Sequence, residues 1–334
     1  MFALNKLEKR MKYVILPEEK TRRASFYLAM EEYVARRLPA GDYLFCWQIE
    51  PSVVFGRNQV MANEVNTAYC RDNNIGMFRR KSGGGCIYAD MGNVMFSFIT
   101  DSDNVGLTFN RYINMMVLML RKIGVKAAAT GRNDIVVDGR KVSGNAFYHL
   151  PGRSIVHGTM LYDTDMDNML HAITPPGTKL ESKGVDSVRQ RIALLKDYIN
   201  IGMDGLKGGI MRGLCNGEHD LTVGDVAEIE ELERGVYLSQ AFIQGKDPMH
   251  TVVRRRRIDG VGCVEAHIEV KGGTVKSVSL TGDFFATGDV EAMLRGLEGV
   301  SLDREALDAA LPQRLDGVIM NLQRDDLLSL LVNP

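Results

Sequence analysis

No stretch of this 334-residue chain approaches the ~20 apolar residues that a membrane-spanning helix needs, and its N-terminus lacks the apolar core of a secretory signal. Cysteine is scarce. Five residues, an odd number without paired spacing, argue against a disulfide framework and for a reducing cytoplasm. There is no CxxC and no HExxH, which argues against a structural zinc site or a zincin. No excess of either charge is present: 41 Lys+Arg against 42 Asp+Glu leave a net charge of −1, so nothing global calls for nucleic acid or an anionic membrane surface. The one strongly basic run, Arg254-Arg255-Arg256-Arg257, reads as a solvated strand or loop end. Tryptophan occurs once, at Trp47.

What remains is an ordinary globular composition, 45% hydrophobic and 25% charged, on a chain long enough for two domains. The stretch of most chemical interest is Phe78 to Ser97, FRRKSGGGCIYADMGNVMFS. Gly83, Gly84 and Gly85 give up backbone order, and in return main-chain N–H groups can converge on another atom with no Cβ in the way. Such a nest of amides suits an anion, and Arg79 or Arg80 supplies a planar, permanently charged fork beside it. Cys86 to Ala89 and Val94 to Ile99 both read as extended, with turn chemistry between them, so the residues alone also allow a plain hairpin with a glycine-rich bulge.

Elsewhere the pattern predicts a helix from Arg22 to Leu38, with Phe26, Met30, Tyr33 and Val34 on one face and Arg22, Glu32 and Arg36 on the other. Tyr43 to Trp47 and Ser52 to Gly56 read as two hairpin strands. Phe109 to Ile123 is a second helix, whose methionines Met115, Met116 and Met119 belong to a buried face. Asp138-Gly139 is a two-residue hairpin signal that pairs Val137 with Arg140, Val136 with Lys141 and Asp134 with Ser143. That register sets Asp134, Val136, Lys141 and Ser143 on one face, with Asp134 diagonal to Lys141. His157 lies on an alternating strand from Ile155 to Tyr162. A helix around Leu221 to Leu232, a linker at Gly245 to Pro248, a hairpin of Gly262–Val270 with Thr274–Leu280 and two short helices complete the expectation.

Three blocks, in order, carry a resemblance. RRKSGGGCIYADMGN (79–93), GRNDIVVDGRKVSGNA (131–146) and HGTML (157–161) resemble the motifs of the lipoate–protein ligase family in its long form, with Ala89 where that family usually has histidine. A further segment, Thr178 to Tyr198, is also similar to the family's. The resemblance implies an α+β fold: a mixed β-sheet core flanked by helices, in the manner of biotin/lipoate ligases, plus a small α+β C-terminal domain. The division expected is 1–246 catalytic and 247–334 accessory.

Also implied is an ATP-dependent, AMP-forming ligase that activates lipoate to lipoyl-AMP and passes the lipoyl group to a lysine of an acceptor. The acceptors the family implies are lipoyl domains of 2-oxoacid dehydrogenase complexes and the glycine cleavage H protein. By the resemblance, Lys141 is catalytic, contacting the activated carboxylate and the α-phosphate. The substrate and ATP contacts are Trp47, Arg80, Ser82, Gly83, Gly84, Gly85, Cys86, Ile87, Tyr88, Asn133, Asp134, Lys141, His157 and Lys183. Lys183 belongs to a loop near the nucleotide, Asp134 is the carboxylate for Mg2+, and Trp47 and the Val136 face supply the apolar slot. Two other readings stand beside this one. An octanoyl or lipoyl transferase would work without ATP, in some families through a cysteine nucleophile, at the place where this chain has Ser143. A non-catalytic lipoyl-binding protein would need neither.

Overall fold

The computed structural model describes residues 11–130, 133–173, 190–245 and 249–332. Among them, eight strands form one mixed sheet in the order β11-β1-β2-β6-β10-β9-β8-β7. These are β1 (Met11–Ile15), β2 (Asp42–Trp47), β6 (Asn93–Thr100), β7 (Ala127–Ala129), β8 (Asp134–Val137), β9 (Arg140–Leu150), β10 (Arg153–Leu161) and β11 (Gly217–Asp220). The edge pairs β1·β2 and β1·β11 are parallel, and the rest are antiparallel.

The central strands are apolar on both faces because both faces are covered. On β6, Val94, Phe96 and Phe98 pack under the helices Val105–Lys122 and Gly202–Leu214, with Met115, Met116 and Met119 buried in that layer. Met95 and Ile99 alternate onto the opposite face, against the helix Ala24–Arg37. Asn104 caps the start of Val105–Lys122 by accepting from Leu107 N–H, and a Thr222–Asp225 capping box starts the helix Val223–Leu232.

The helix Ala24–Arg37 is not one-sided. Every residue from Ala24 to Ala35 is buried, since Val223–Leu232 and the turn Glu233–Tyr237 close over the side away from the sheet. Glu32, expected on a solvent face, is 3% exposed and is held by Lys81 Nζ, Tyr237 OH and Arg36 Nε.

Two hairpin expectations fail for one reason. β3 (Ser52–Phe55) does not pair with β2, and β5 (Ile87–Ala89) does not pair with β6. Instead β4 (Gly76–Arg79), β3 and β5 form a separate three-stranded sheet, β3 parallel to β4 and antiparallel to β5. The turns are where the sequence puts them, but each carries the chain from one sheet to the other. The glycine loop spans β4 and β5, so it sits on this small sheet, facing the large one.

In the C-terminal part, β12 (Val252–Ile258), β13 (Gly262–Lys271) and β14 (Thr274–Gly282) make an antiparallel sheet, covered by the helices Val290–Arg295, Arg304–Ala310 and Arg324–Val332. Arg254–Arg257 lie on the edge strand β12. The expected linker falls mostly at 246–248 and the segment 178–198 mostly at 178–189, both outside the described residues.

This C-terminal part is rooted in the first. Gly282 N–H donates to Asn58 O at 2.9 Å, and the Phe285 ring enters the core beside Phe109 and Phe147, stacking on Phe147 at 5.3 Å. No helix among the described residues is long and apolar enough to cross a membrane.

Candidate functional site

Between the two sheets lies a narrow cavity of about 90 Å³. Leu28, Trp47, Val54, Ile87, Met95 and Ala146 supply apolar wall, and Arg80, Gly84, Gly85, Cys86, Asn133, Lys141, Gly144, Asn145, His157, Gly158 and Thr159 the rest. Sheet register explains how distant residues meet. Phe45 on β2, Ser97 on β6 and His157 on β10 occupy one row across the sheet, and Trp47 is two residues further along the same face.

A chain of hydrogen bonds crosses the buried end of the cavity. Trp47 Nε1–H donates to Ser97 Oγ at 2.9 Å, and Ser97 donates to Glu31 Oε1 at 2.5 Å. The Glu31 carboxylate holds His157 Nδ1 at 2.8 and 2.9 Å, and His157 Nε2 lies 2.7 Å from Ser82 Oγ. Arg80 Nε donates to that same hydroxyl at 2.9 Å. With an arginine donating to it, Ser82 has its own proton for Nε2, which puts the imidazole hydrogen on Nδ1 toward Glu31. Glu31, fully buried, was not expected from the sequence. Its only signal is a second acid beside Glu32 on a helix that proves to be buried on all sides.

The glycine loop is built around Arg80. Besides Ser82, the guanidinium donates to Val54 O, Gly83 O and Gly85 O at 2.7–2.8 Å. Those carbonyls therefore turn inward, leaving the loop's amide edges to face elsewhere. Burial pulls Arg80 down to about 10, still protonated at neutral pH. Arg80, expected as an electrostatic clamp on a phosphate, lines the cavity and through these bonds braces the loop. Arg79 points away from the cavity, and donates to Gly56 O, Arg57 O, Gln59 O, Ile243 O and Gln244 O.

Gly83 and Gly84 are covered as well. A Cβ at Gly83 would stand 2.4 Å from Phe284 O, and Gly84, at φ +84°, lies against the Phe285 ring. Gly84 N–H reaches Phe284 O at 3.4 Å, a long contact. Gly84, Gly85, Cys86 and Ile87 line the cavity, whereas Gly83 and Ser82 support it from behind. Tyr88 faces the opposite way, into the cluster with Val53, Phe55 and Cys70. Burial pushes the Cys86 thiol well up, and Arg80 offsets this only in part. Such a thiol resists ionisation.

At the other end, Asn133 is strapped to β9 by its side-chain bond to Asn145 O and by Asn145 N–H and Nδ2–H to its own carbonyl. Lys141 Nζ pairs with Asp134 Oδ1 at 2.8 Å, the diagonal contact expected. Val137·Arg140 and Val136·Lys141 pair as expected, but the ladder then slips. A bulge at Val142 opposes Ser143 to Ile135 and Gly144 to Asp134. Ser143 therefore leaves the Asp134–Lys141 face; it is 1% exposed and bonds Asn145. Neither Val136 nor Asp134 reaches the cavity wall. Lys183 lies outside the described residues. Among the described residues no group of three or more His, Cys, Asp or Glu side chains is arranged to hold a metal ion.

Comparison with known proteins gives this arrangement a family. Residues 23–214 match the lipoyl protein ligase A/B catalytic domain, and 247–331 match the bacterial lipoate protein ligase C-terminus. The chain is 34% identical to lipoate-protein ligase LplJ of Bacillus subtilis, over 91% of this chain and 95% of that one. It is 37% identical to lipoate–protein ligase 1 of Staphylococcus aureus, over 86% and 89%. Among solved structures, the fold matches LipL1 of P. falciparum in complex with lipoate at a TM-score of 0.75 and 18% identity, covering 96% of this chain and 98% of that one. It also matches a bi-partite lipoate protein ligase from Thermoplasma acidophilum at 0.65 and 25%, covering 73% and 99%. The chain belongs to the lipoate–protein ligase family of enzymes.

Proposed function

We propose that this ligase activates lipoate with ATP and transfers the lipoyl group to a lysine on lipoyl-domain proteins. One observation carries the reading: a narrow slot, apolar around Trp47, Leu28 and Met95, ends beside an ammonium, Lys141, and an amide, Asn133. A chain with one charged end and an apolar body fits such a slot end-on.

In the first half-reaction a lipoate carboxylate oxygen attacks the α-phosphorus of ATP, and pyrophosphate leaves with the electron pair of the broken P–O bond. In the second, the acceptor amine attacks the acyl carbon, loses a proton, and AMP departs. Charge develops at the same acyl and phosphoryl oxygens in both, so a preorganised cation there serves both steps. Lys141 has that position, and its rotatable donors can follow the oxygens as they move. The glycine loop, braced by Arg80, forms the opposite wall through Gly84 and Gly85. His157, fixed by Glu31 and Ser82, shapes the far end.

Asp134 is the carboxylate we assign to the magnesium accompanying ATP. A single half-exposed carboxylate suits an ion held mainly by phosphates rather than by a protein cage, and the ion would neutralise phosphate charge there. We further propose the division into a catalytic part, 1–246, and an accessory part, 247–334. The Thermoplasma ligase, reported with its E2 lipoyl domain, supports acceptors of that kind. Among the described residues the transferase reading finds no ready thiolate, because Ser143 is turned into the sheet and burial holds the Cys86 thiol in its neutral form.

The test is lipoylation of a purified lipoyl domain with and without ATP and magnesium, alongside octanoyl-carrier protein as donor. Transfer should need ATP, and Cys86→Ser should leave it intact. Vigorous ATP-free transfer that Cys86→Ser abolishes would sink the ligase reading.

A further inference from the structure

The Lys141 main chain has no freedom to place its own ammonium. It pairs with Val136 on one side, and its carbonyl accepts from Ala193 N–H at 2.9 Å on the other. Only the side chain can aim. Because the bulge at Val142 uses two residues against one, Lys141 and Gly144 end up on the same face, and the lysine bends back along its own strand over Gly144 to reach Asp134.

An ideal Cβ on Gly144 would lie 2.8 Å from Lys141 Nζ and 2.9 Å from Cε. The next nearest atom, Asp134 Oδ1, would be 3.9 Å away, an ordinary contact, and Gly144 has no positive φ to accommodate. The backbone thus tolerates alanine here. What does not is the lysine's present position.

We infer that Gly144 is a positioning residue for Lys141: its missing Cβ is the space through which the ammonium reaches its place beside Asp134 and the cavity mouth. This rests on the reading of Lys141 as the cation serving both half-reactions. A methyl group at 144 would push the ammonium aside by up to about 1 Å, enough to misdirect a charge-stabilising donor.

The experiment is a double-mutant cycle on the full-length chain: wild type, Gly144→Ala, Lys141→Ala and both together, each measured by lipoate-dependent ATP–pyrophosphate exchange and by thermal unfolding. Gly144→Ala should lower the exchange rate about tenfold or more, part of the roughly hundredfold that losing such a donor outright costs. The lipoate KM should stay within about twofold, since Gly144 is on the polar part of the lining and the apolar wall of Leu28, Trp47 and Met95 is unchanged. In the Lys141→Ala background the same change should cost nothing further, which a general structural role would not produce.

A Gly144→Ala enzyme with wild-type exchange, or an additive loss in the double variant, overturns the inference. If Gly144→Ala fails to fold, the double variant decides: recovery of folding once the lysine is shortened supports the steric relation, and no recovery refutes it. Failure of the ligase reading would look different, because wild type itself would then show no exchange.

Discussion

Lys141 and Arg80 are both cations at the cavity, and their surroundings assign them opposite kinds of work. The Lys141–Asp134 pair has side chains 37% and 31% exposed, so the pair contributes at most about 1 kcal/mol to stability. Lys141→Ala should depress pyrophosphate exchange and single-turnover transfer from preformed lipoyl-AMP together, while urea unfolding shifts by less than that amount. Lys141→Arg should fail nearly as badly, because a wider planar fork cannot follow the same oxygens. Arg80 reverses the balance. Arg80→Lys replaces four fixed donors by one mobile ammonium and leaves buried carbonyls short of partners, at a cost of about 2–4 kcal/mol in urea unfolding. A full-stability Arg80→Lys protein would show that the brace is unimportant. The sequence disclosed the Lys141–Asp134 contact because a two-residue turn fixes which side chains become neighbours, while the role of Lys141 came from the resemblance alone. It could not disclose Arg80's task, since nothing in RRKSGGG says toward which side of the chain an arginine folds.

The glycine loop shows what an element needs beyond its own residues. Sequence marks all three glycines as making room for a ligand, but a Cβ on Gly83 or Gly84 would also meet Phe284 or Phe285. Gly83→Ala should therefore destabilise by about 1–3 kcal/mol, since its Cβ would meet the Phe284 carbonyl at 2.4 Å. A Cβ on Gly85 would find nothing closer than 4.0 Å, so Gly85→Ala should unfold as wild type does. Equal stabilities for the two variants would mean that the Phe284 contact is absent in solution. The strands were legible wherever alternation or a tight turn is local, as in Gly262–Lys271 with Thr274–Gly282. The assignment of β2 and β3 to different sheets was not, because a turn signal records a change of direction and not the partner chosen afterwards. The Val142 bulge was equally hidden: one extra residue in a ladder changes no residue type.

At the scale of the molecule, a second cavity of about 490 Å³ lies between the C-terminal sheet and the segment Gln59–Glu64, lined in part by Glu64, Arg255, Glu265 and Asp283. Burial pushes the Glu64 carboxyl up to about 7; Asp283 and Glu265 add to this, and Gln59 and Arg255 oppose it. The folded protein thus holds a proton that the unfolded chain releases near pH 4.5. Its stabilising contribution is complete below pH 4.5 and is lost as the pH rises through about 7. Glu64→Gln should flatten the decline of Tm across that window, and an unchanged pH profile would remove Glu64 from the account.

Phe285 bears on how the chain is held together rather than on how it reacts. An aromatic side chain from the far end of the sequence fills a place in the core of the near end, and backbone bonds from Gly282 and Phe285's neighbour accompany it. Covalent continuity at 246–248 is then redundant to cohesion. Two polypeptides, 1–246 and 247–334, made separately and mixed, should find each other and elute as one particle in gel filtration, and Phe285→Ala should separate them. A gene split at that point should then still give one assembled particle.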